Sequence, residues 1–375
     1  MNRIILLDID GVLVQPGGYR AALRATVRRF TTPAFEIQED LLTGMEQRGI
    51  TSEWDMVPLI LASYWDFILA QQPMPNLPST VADAARTIQA SRRADAPVPI
   101  SIPAFELAEG RYPAESALRA GIFPSLPAEL RRSLLSATRS IHTSETMRAF
   151  QHFTLGSRRY EETYRLPAEF ETESFLLKYD RPNVDEGTCA ALRRGNHLAA
   201  FTARPSRPPR EVTASLPGYA PEAELALELV GLAEIPLLAF GKLEYLAARR
   251  QIQVETLLKP APFQALAAVL AAWTEDELSA LQAAEEWLES GALNGHFRAL
   301  PASFELIVIE DTLSGIRSAQ AAGKILRAAG FDITVRALGL TSGSASRAAM
   351  FEQARVPHWA KWEMLVDELQ RAARQ

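Results

Sequence analysis

The sequence predicts an α/β protein, a doubly wound parallel sheet with a second, mainly helical domain inserted near its start. Three observations predict it. Short apolar runs, bounded by polar or turn residues and too brief for helices, recur along the chain. Helix-like patterns lie between most of them, and strands alternating with helices imply a parallel sheet covered on both faces. Finally, roughly 180 residues separate the first run from the next, far more than an ordinary connection takes.

The first run, Ile4 to Leu7, ends on Asp8-Ile9-Asp10-Gly11. Taken alone, Asp-Gly reads as a turn. The segment from about Val14 to Tyr179 then carries helical periodicity, as in EWDMVPLILASYWDFILA, where Trp54, Leu59, Ala62, Trp65 and Leu69 fall on one broad apolar face. Its proline-rich breaks, QQPMPNLP and DAPVPISIP, read as loops. Residues 1–14 and 180–375 are therefore expected to form the sheet domain and 15–179 the helical one. Four further strands are predicted at His197 to Thr202, Ile235 to Phe240, Phe304 to Ile309 and Ile333 to Leu338, with helices at Pro260 to Ala272, Leu313 to Ala322 and Ala345 to Arg355. A smaller helical insertion is expected over about 271–303, opened by a capping box of Thr274 and Glu277 and stopped by Gly291.

Composition narrows the class. With 375 residues, 47% of them hydrophobic, the chain can bury a substantial core. Its 45 acidic against 39 basic residues give a net charge of -6, so no positive field draws it to nucleic acid or anionic lipid. The single cysteine, Cys189, excludes an internal disulfide and a multi-cysteine zinc site, and it reads as a small buried apolar residue. The apolar start is too short for a signal peptide and no segment reaches bilayer length, so a cytoplasmic protein without membrane contact is expected.

Ligands of an open parallel sheet bind outside the carboxyl ends of its strands. Those ends carry Asp8 and Asp10, then Thr202-Ala203-Arg204-Pro205, then Glu310-Asp311-Thr312-Leu313-Ser314-Gly315. Four carboxylates and a hydroxyl are thus expected to gather on one rim, where a cluster of unneutralised acids is costly unless a cation joins them. Oxygen ligands without a nearby histidine or cysteine favour magnesium. A phosphate ester completes such a site, and it needs a protein cation as well. Lys259 is the preferred candidate, with Pro260 placed to start a helix behind it. Lys242, nearer the end of the third strand, competes.

DIDGVL, FTARP, KPAP and IEDTLSGI, in this order and setting, resemble the four motifs of the haloacid dehalogenase superfamily of hydrolases. Each is weak alone; jointly they are specific, and they span about half the chain. The resemblance implies Asp8 as a nucleophile that forms an aspartyl-phosphate and Asp10 as general acid, then base. It implies that Thr202, Lys259 and the backbone N–H groups near Ile9, Asp10 and Ala203 hold the phosphoryl oxygens. Magnesium would sit on Asp8, the backbone carbonyl of Asp10, Asp311 and Glu310. The second acid, Asp10, points to phosphate esters over halides or phosphonates. The inserted domain would be an enlarged helical cap that selects a small phosphorylated substrate.

Within that domain Trp54, Trp65, Arg158, Arg159, Tyr160 and Tyr164 are pocket candidates, although each residue type is more often core or surface. His142 and His152 read as ordinary residues of that domain. Arg204 is weighed between reaching the substrate and a surface salt bridge, with the surface preferred. Two alternatives to a phosphohydrolase stay open: a phosphosugar mutase of the same superfamily and a non-catalytic binding or scaffold protein on this fold.

Overall fold

The computed structural model describes residues 2–91, 98–209, 216–293 and 295–373. The chain forms two compact units, Met1–Pro16 with Asp180–Gln375, and Gly17–Tyr179.

The strands of the first unit are β1 (Asn2–Leu7), β2 (Val14–Gln15), β3 (Arg181–Pro182), β4 (His197–Phe201), β5 (Leu237–Leu238), β6 (Ser303–Glu310), β7 (Asp332–Leu340) and β8 (His358–Trp359). Six of them form a parallel sheet in the order β5-β4-β1-β6-β7-β8. Side chains alternate between its faces. Ile4, Leu6, Phe201, Leu306 and Val308 enter one core, while Ile5, Leu7, Leu198, Ile307 and Ile309 enter the other. Both faces are covered, so the strands read as unbroken apolar runs. Helices Phe240–Arg250, Pro262–Thr274, Glu277–Ser290 and Leu313–Ala328 contribute to the first core, and Glu186–Arg193, Glu222–Leu229 and Trp362–Ala373 to the second. Cys189 is buried in that second core.

Strand order places the chemistry. From β1 the chain builds outward through β4 and β5 on one side, then through β6, β7 and β8 on the other. Connections therefore diverge at the carboxyl end of β1, which opens a crevice there. A second feature had no signal in the sequence: β2 and β3 pair antiparallel, Val14 with Pro182 and Gln15 with Arg181, which clips together the two stretches of this unit.

Several boundaries differ from expectation. The third predicted strand, Ile235 to Phe240, is paired only at Leu237–Leu238, because it lies at the sheet edge and Phe240 already opens a helix. The helix expected at Pro260 begins at Pro262, with Ala261 as its N-cap, and it runs to Thr274. The capping box does not form. Thr274 ends that helix and bonds back to the Leu270 carbonyl, and the chain reverses through a left-handed Glu275 (φ 58°). Asp276 caps the next helix instead, accepting from the Ser279 N–H and hydroxyl, while the Glu277 carboxylate accepts from the Leu237 N–H and pairs with Lys242. Gly291 ends the helix in the left-handed conformation, φ 71°.

The second unit contains nine helices among the described residues: Gly18–Phe30, Glu39–Gln47, Glu53–Gln71, Val81–Ser91, Pro113–Arg119, Ala128–Leu135, Glu145–Leu155, Ser157–Tyr164 and Phe175–Tyr179. The one-sided face expected of Glu53–Gln71 does not hold. Residues 55–65 are buried all round, because the other helices wrap it, and only Trp54 of the five marker residues is partly exposed. Gln71 of QQPMPNLP still ends helix Glu53–Gln71 and Gln72 to Pro78 form the loop; Asp95, Ala96 and Pro97 of DAPVPISIP lie outside the described residues, and 98–103 carry no regular structure. Among the described residues no helix is long and apolar enough to cross a membrane.

Candidate active site

β1 is flanked by β4 and β6, with Leu7 opposite Ala200 on one side and Ile309 on the other. The residues that follow these three positions, Asp8, Thr202 and Glu310-Asp311, therefore leave the sheet at one edge. The Asp8 N–H donates to the Ile309 carbonyl (3.1 Å), which extends the ladder to the first carboxylate. Beyond it the chain turns tightly, with the Val14 N–H donating to Ile9 and the Gly11 N–H to Val14. Asn183 Nδ2 donates to the carbonyls of Gly11 and Val12, Ser342 Oγ to Gly11, and Trp362 Nε1 to Val12. The loop carrying Asp10 is thus held from three directions.

Two glycines let the acids converge. Gly11 has φ +75°, and a Cβ there would come within 2.2 Å of Asp311 Oδ2; a Cβ on Gly315 would come within 1.7 Å of Glu310 Oε1. Oxygens of Asp8, Glu310 and Asp311 all lie within 4.8 Å of one another, a buried cluster that could hold a metal ion.

Lys259 enters the cluster. Its Nζ donates to Asp8 Oδ1 at 2.8 Å and Glu310 Oε1 at 2.6 Å, and it sits 4.2 Å from the Phe201 ring centroid. Glu310 Oε2 accepts from the Thr312 N–H and hydroxyl at the start of helix Leu313–Ala328. Lys242 points elsewhere, donating to the Leu237 carbonyl (2.7 Å) and pairing with Glu277. Thr202 is buried, its Oγ1 accepting from the Arg204 N–H. Gln264, which sequence reasoning passed over, donates from Nε2 to the carbonyls of Thr202 (2.9 Å) and Leu238 (2.7 Å) and so ties the ends of β4 and β5 together.

Arg204 corrects the expectation of a surface bridge. It is 3% exposed, and its guanidinium grips Asp10 and the buried Asp180. Asp180 carried no motif, and neither did Arg347, whose Nη2 lies 2.8 Å from Asp311 Oδ2. Among the described residues, five carboxylates, Asp8, Asp10, Asp180, Glu310 and Asp311, pair with Lys259, Arg204 and Arg347. Burial first, and then Glu310, push the Asp8 carboxyl up to about 7, against the pull of Lys259. Burial and the Asp8 charge push Asp311 up to about 7 as well. Burial also raises Glu310. For Lys259, burial works against the charge, but Asp8 and Glu310 outweigh it and hold the ammonium above its ordinary value. A divalent cation fits this cluster of hard oxygen donors.

The pocket candidates of the second unit fare differently. Trp65, Tyr160 and Tyr164 are core residues, while Arg158 is exposed and pairs with Glu162. His152 is buried between the rings of Tyr160 and Phe170; its Nε2 accepts from the Glu169 N–H, so Nδ1 donates to the Arg148 carbonyl. His142 is exposed.

No family model matches this chain, and no curated protein matches it. Among solved structures, the X-ray structure of Northeast Structural Genomics Consortium target ZR25 is similar over 98% of this chain and 99% of its own, at 15% identity and a TM-score of 0.63, a likeness of fold. Phosphatase Tt82 from Thermococcus thioreducens aligns over 88% of this chain and 91% of its own, at 16% identity and a TM-score of 0.42, too slight a likeness to argue from.

Proposed function

We propose that this protein is a magnesium-dependent phosphohydrolase of the haloacid dehalogenase superfamily that cleaves a small phosphate monoester through an aspartyl-phosphate. One observation carries the reading: the Asp8 carboxylate stands at the switch point of the sheet, 2.8 Å from Lys259, inside a buried cluster of acids. Asp8, Asp311 and the backbone carbonyl of Asp10 would hold the magnesium ion, with Glu310 beside them. Bound there, the ion supplies positive charge to the phosphoryl oxygens.

The chain's own groups do the rest. An Asp8 oxygen attacks phosphorus, and Lys259, Thr202 and the backbone N–H groups of Ile9, Asp10 and Ala203 hold the oxygens that gain charge. Glu310, already bonded to Lys259 and Thr312, keeps the ammonium beside the nucleophile. Asp10 protonates the leaving alkoxide and then takes a proton from the water that hydrolyses the aspartyl-phosphate. The Gly17–Tyr179 unit serves as the cap that selects the substrate, and the protein works in the cytoplasm on a small metabolite, without nucleic acid or membrane.

A panel of phosphorylated metabolites tests this. Phosphate release that requires magnesium and disappears in Asp8→Asn supports the proposal. Isomerised sugar phosphate without net phosphate release would instead make the protein a mutase. No turnover, with wild type and Asp8→Asn alike, would make it a non-catalytic binding protein.

A further inference from the structure

Arg204 is bonded more heavily than a surface pair needs. Its Nε lies 2.9 and 2.8 Å from the two oxygens of Asp10, and Nη2 lies 2.6 Å from Oδ1. Nη2 also donates to Asp180 Oδ2 at 2.9 Å. Asp180 is 2% exposed and Arg204 3%, whereas the Asp10 side chain keeps 35% of its surface open. Burying a guanidinium and a carboxylate is costly, and an exposed acid gains little from an ion pair in water. The pair is explained if its task is to hold Asp10 still. A planar fork gripping both oxygens fixes the carboxylate plane, which a lysine cannot do. Asp180 braces the fork from its buried side, and it is the residue at which the chain re-enters this unit.

We propose that Arg204, braced by Asp180, is a positioning residue that fixes the Asp10 carboxylate for both of its proton transfers; this rests on the phosphohydrolase reading above. In the first step the Asp8–phosphorus bond forms as the ester bond breaks, and the departing oxygen takes the proton from Asp10. In the second a water oxygen bonds to phosphorus, the Asp8–phosphorus bond breaks, and the water's proton returns to Asp10. Misaligning Asp10 therefore slows the first step only for leaving groups that need a proton.

The test compares an alkyl phosphate with p-nitrophenyl phosphate, whose leaving group departs as a stable anion. Arg204→Lys should lower kcat on the alkyl ester about a hundredfold with KM little changed. The burst of nitrophenolate, which reports phosphorylation of Asp8, should change by less than about threefold, followed by slow turnover as the phosphoenzyme accumulates. Asp180→Asn, which keeps an oxygen toward Nη2, should shift both readouts the same way by a smaller factor, and it carries the comparison if Arg204→Lys does not fold. An equal loss on both esters' first step, or no loss on either, overturns the inference while leaving the phosphohydrolase reading intact. A wild-type protein silent on both esters removes that reading and this inference with it.

Discussion

Raising the pH without divalent cations should destabilise this protein, and magnesium should restore what is lost. Asp8 and Asp311 are both raised from 3.8 to about 7 by burial and by neighbouring acids. The folded chain therefore keeps protons that the unfolded chain has released, so the contribution of these groups is greatest below the unfolded value and is lost as the pH rises through 7. A shift of this size corresponds to about 4 kcal/mol for either group alone, of which about 2 kcal/mol falls between pH 5 and 7. Together they contribute less than twice that, because each is raised partly by other acids of the same cluster. Urea unfolding in a chelator at about pH 5 and about pH 7.5 measures the loss, and repeating it with saturating magnesium should show larger stabilisation at the higher pH. Asp311→Asn, which removes one of the two titrating acids, should flatten the profile. Stability that holds level or rises with pH in chelator, with Asp311→Asn tracking wild type, would refute the electrostatic account of the cluster.

Lys259→Met should abolish phosphate release and cost about 3 kcal/mol of stability in urea, because it leaves Asp8 and Glu310 buried without their cation. Lys242→Met, which breaks the bridge to Glu277, should lower stability while changing turnover by less than about twofold, since nothing of that pair enters the acidic cluster. Gly11→Ala, placing a methyl 2.2 Å from Asp311 Oδ2 at φ +75°, should lower the melting temperature and weaken magnesium binding by at least about tenfold in a calorimetric titration.

Much of this site was legible because a parallel sheet sends all its strands' carboxyl ends to one edge, so residues distant in sequence meet there whenever their runs are recognised. DIDG and IEDT could be placed together from run endings alone. Lys259 was harder. It lies in a loop three residues before helix Pro262–Thr274, and only its ammonium's contacts with Asp8 and Glu310 distinguish it from Lys242. Arg204 stood inside a recognised segment and was still misjudged, because an arginine's burial depends on partners from other elements, here Asp10 and Asp180. The helix start near Glu277 was misread for a related reason: its carboxylate serves Leu237 and Lys242 across the unit instead of its own first turn.

By itself the amino-acid order determined the short apolar runs and the helical patterns between them, hence the α/β class, and the acids at the ends of those runs. These are properties of short stretches, written by which faces must leave water. Tertiary structure alone decided the sharing of charge: which lysine neutralises Asp8, that Asp180 braces Arg204, and that Arg347 reaches Asp311 from helix Ala345–Gln353. Such pairings depend on distances of a few ångströms between segments far apart along the chain, and local pattern carries no record of them.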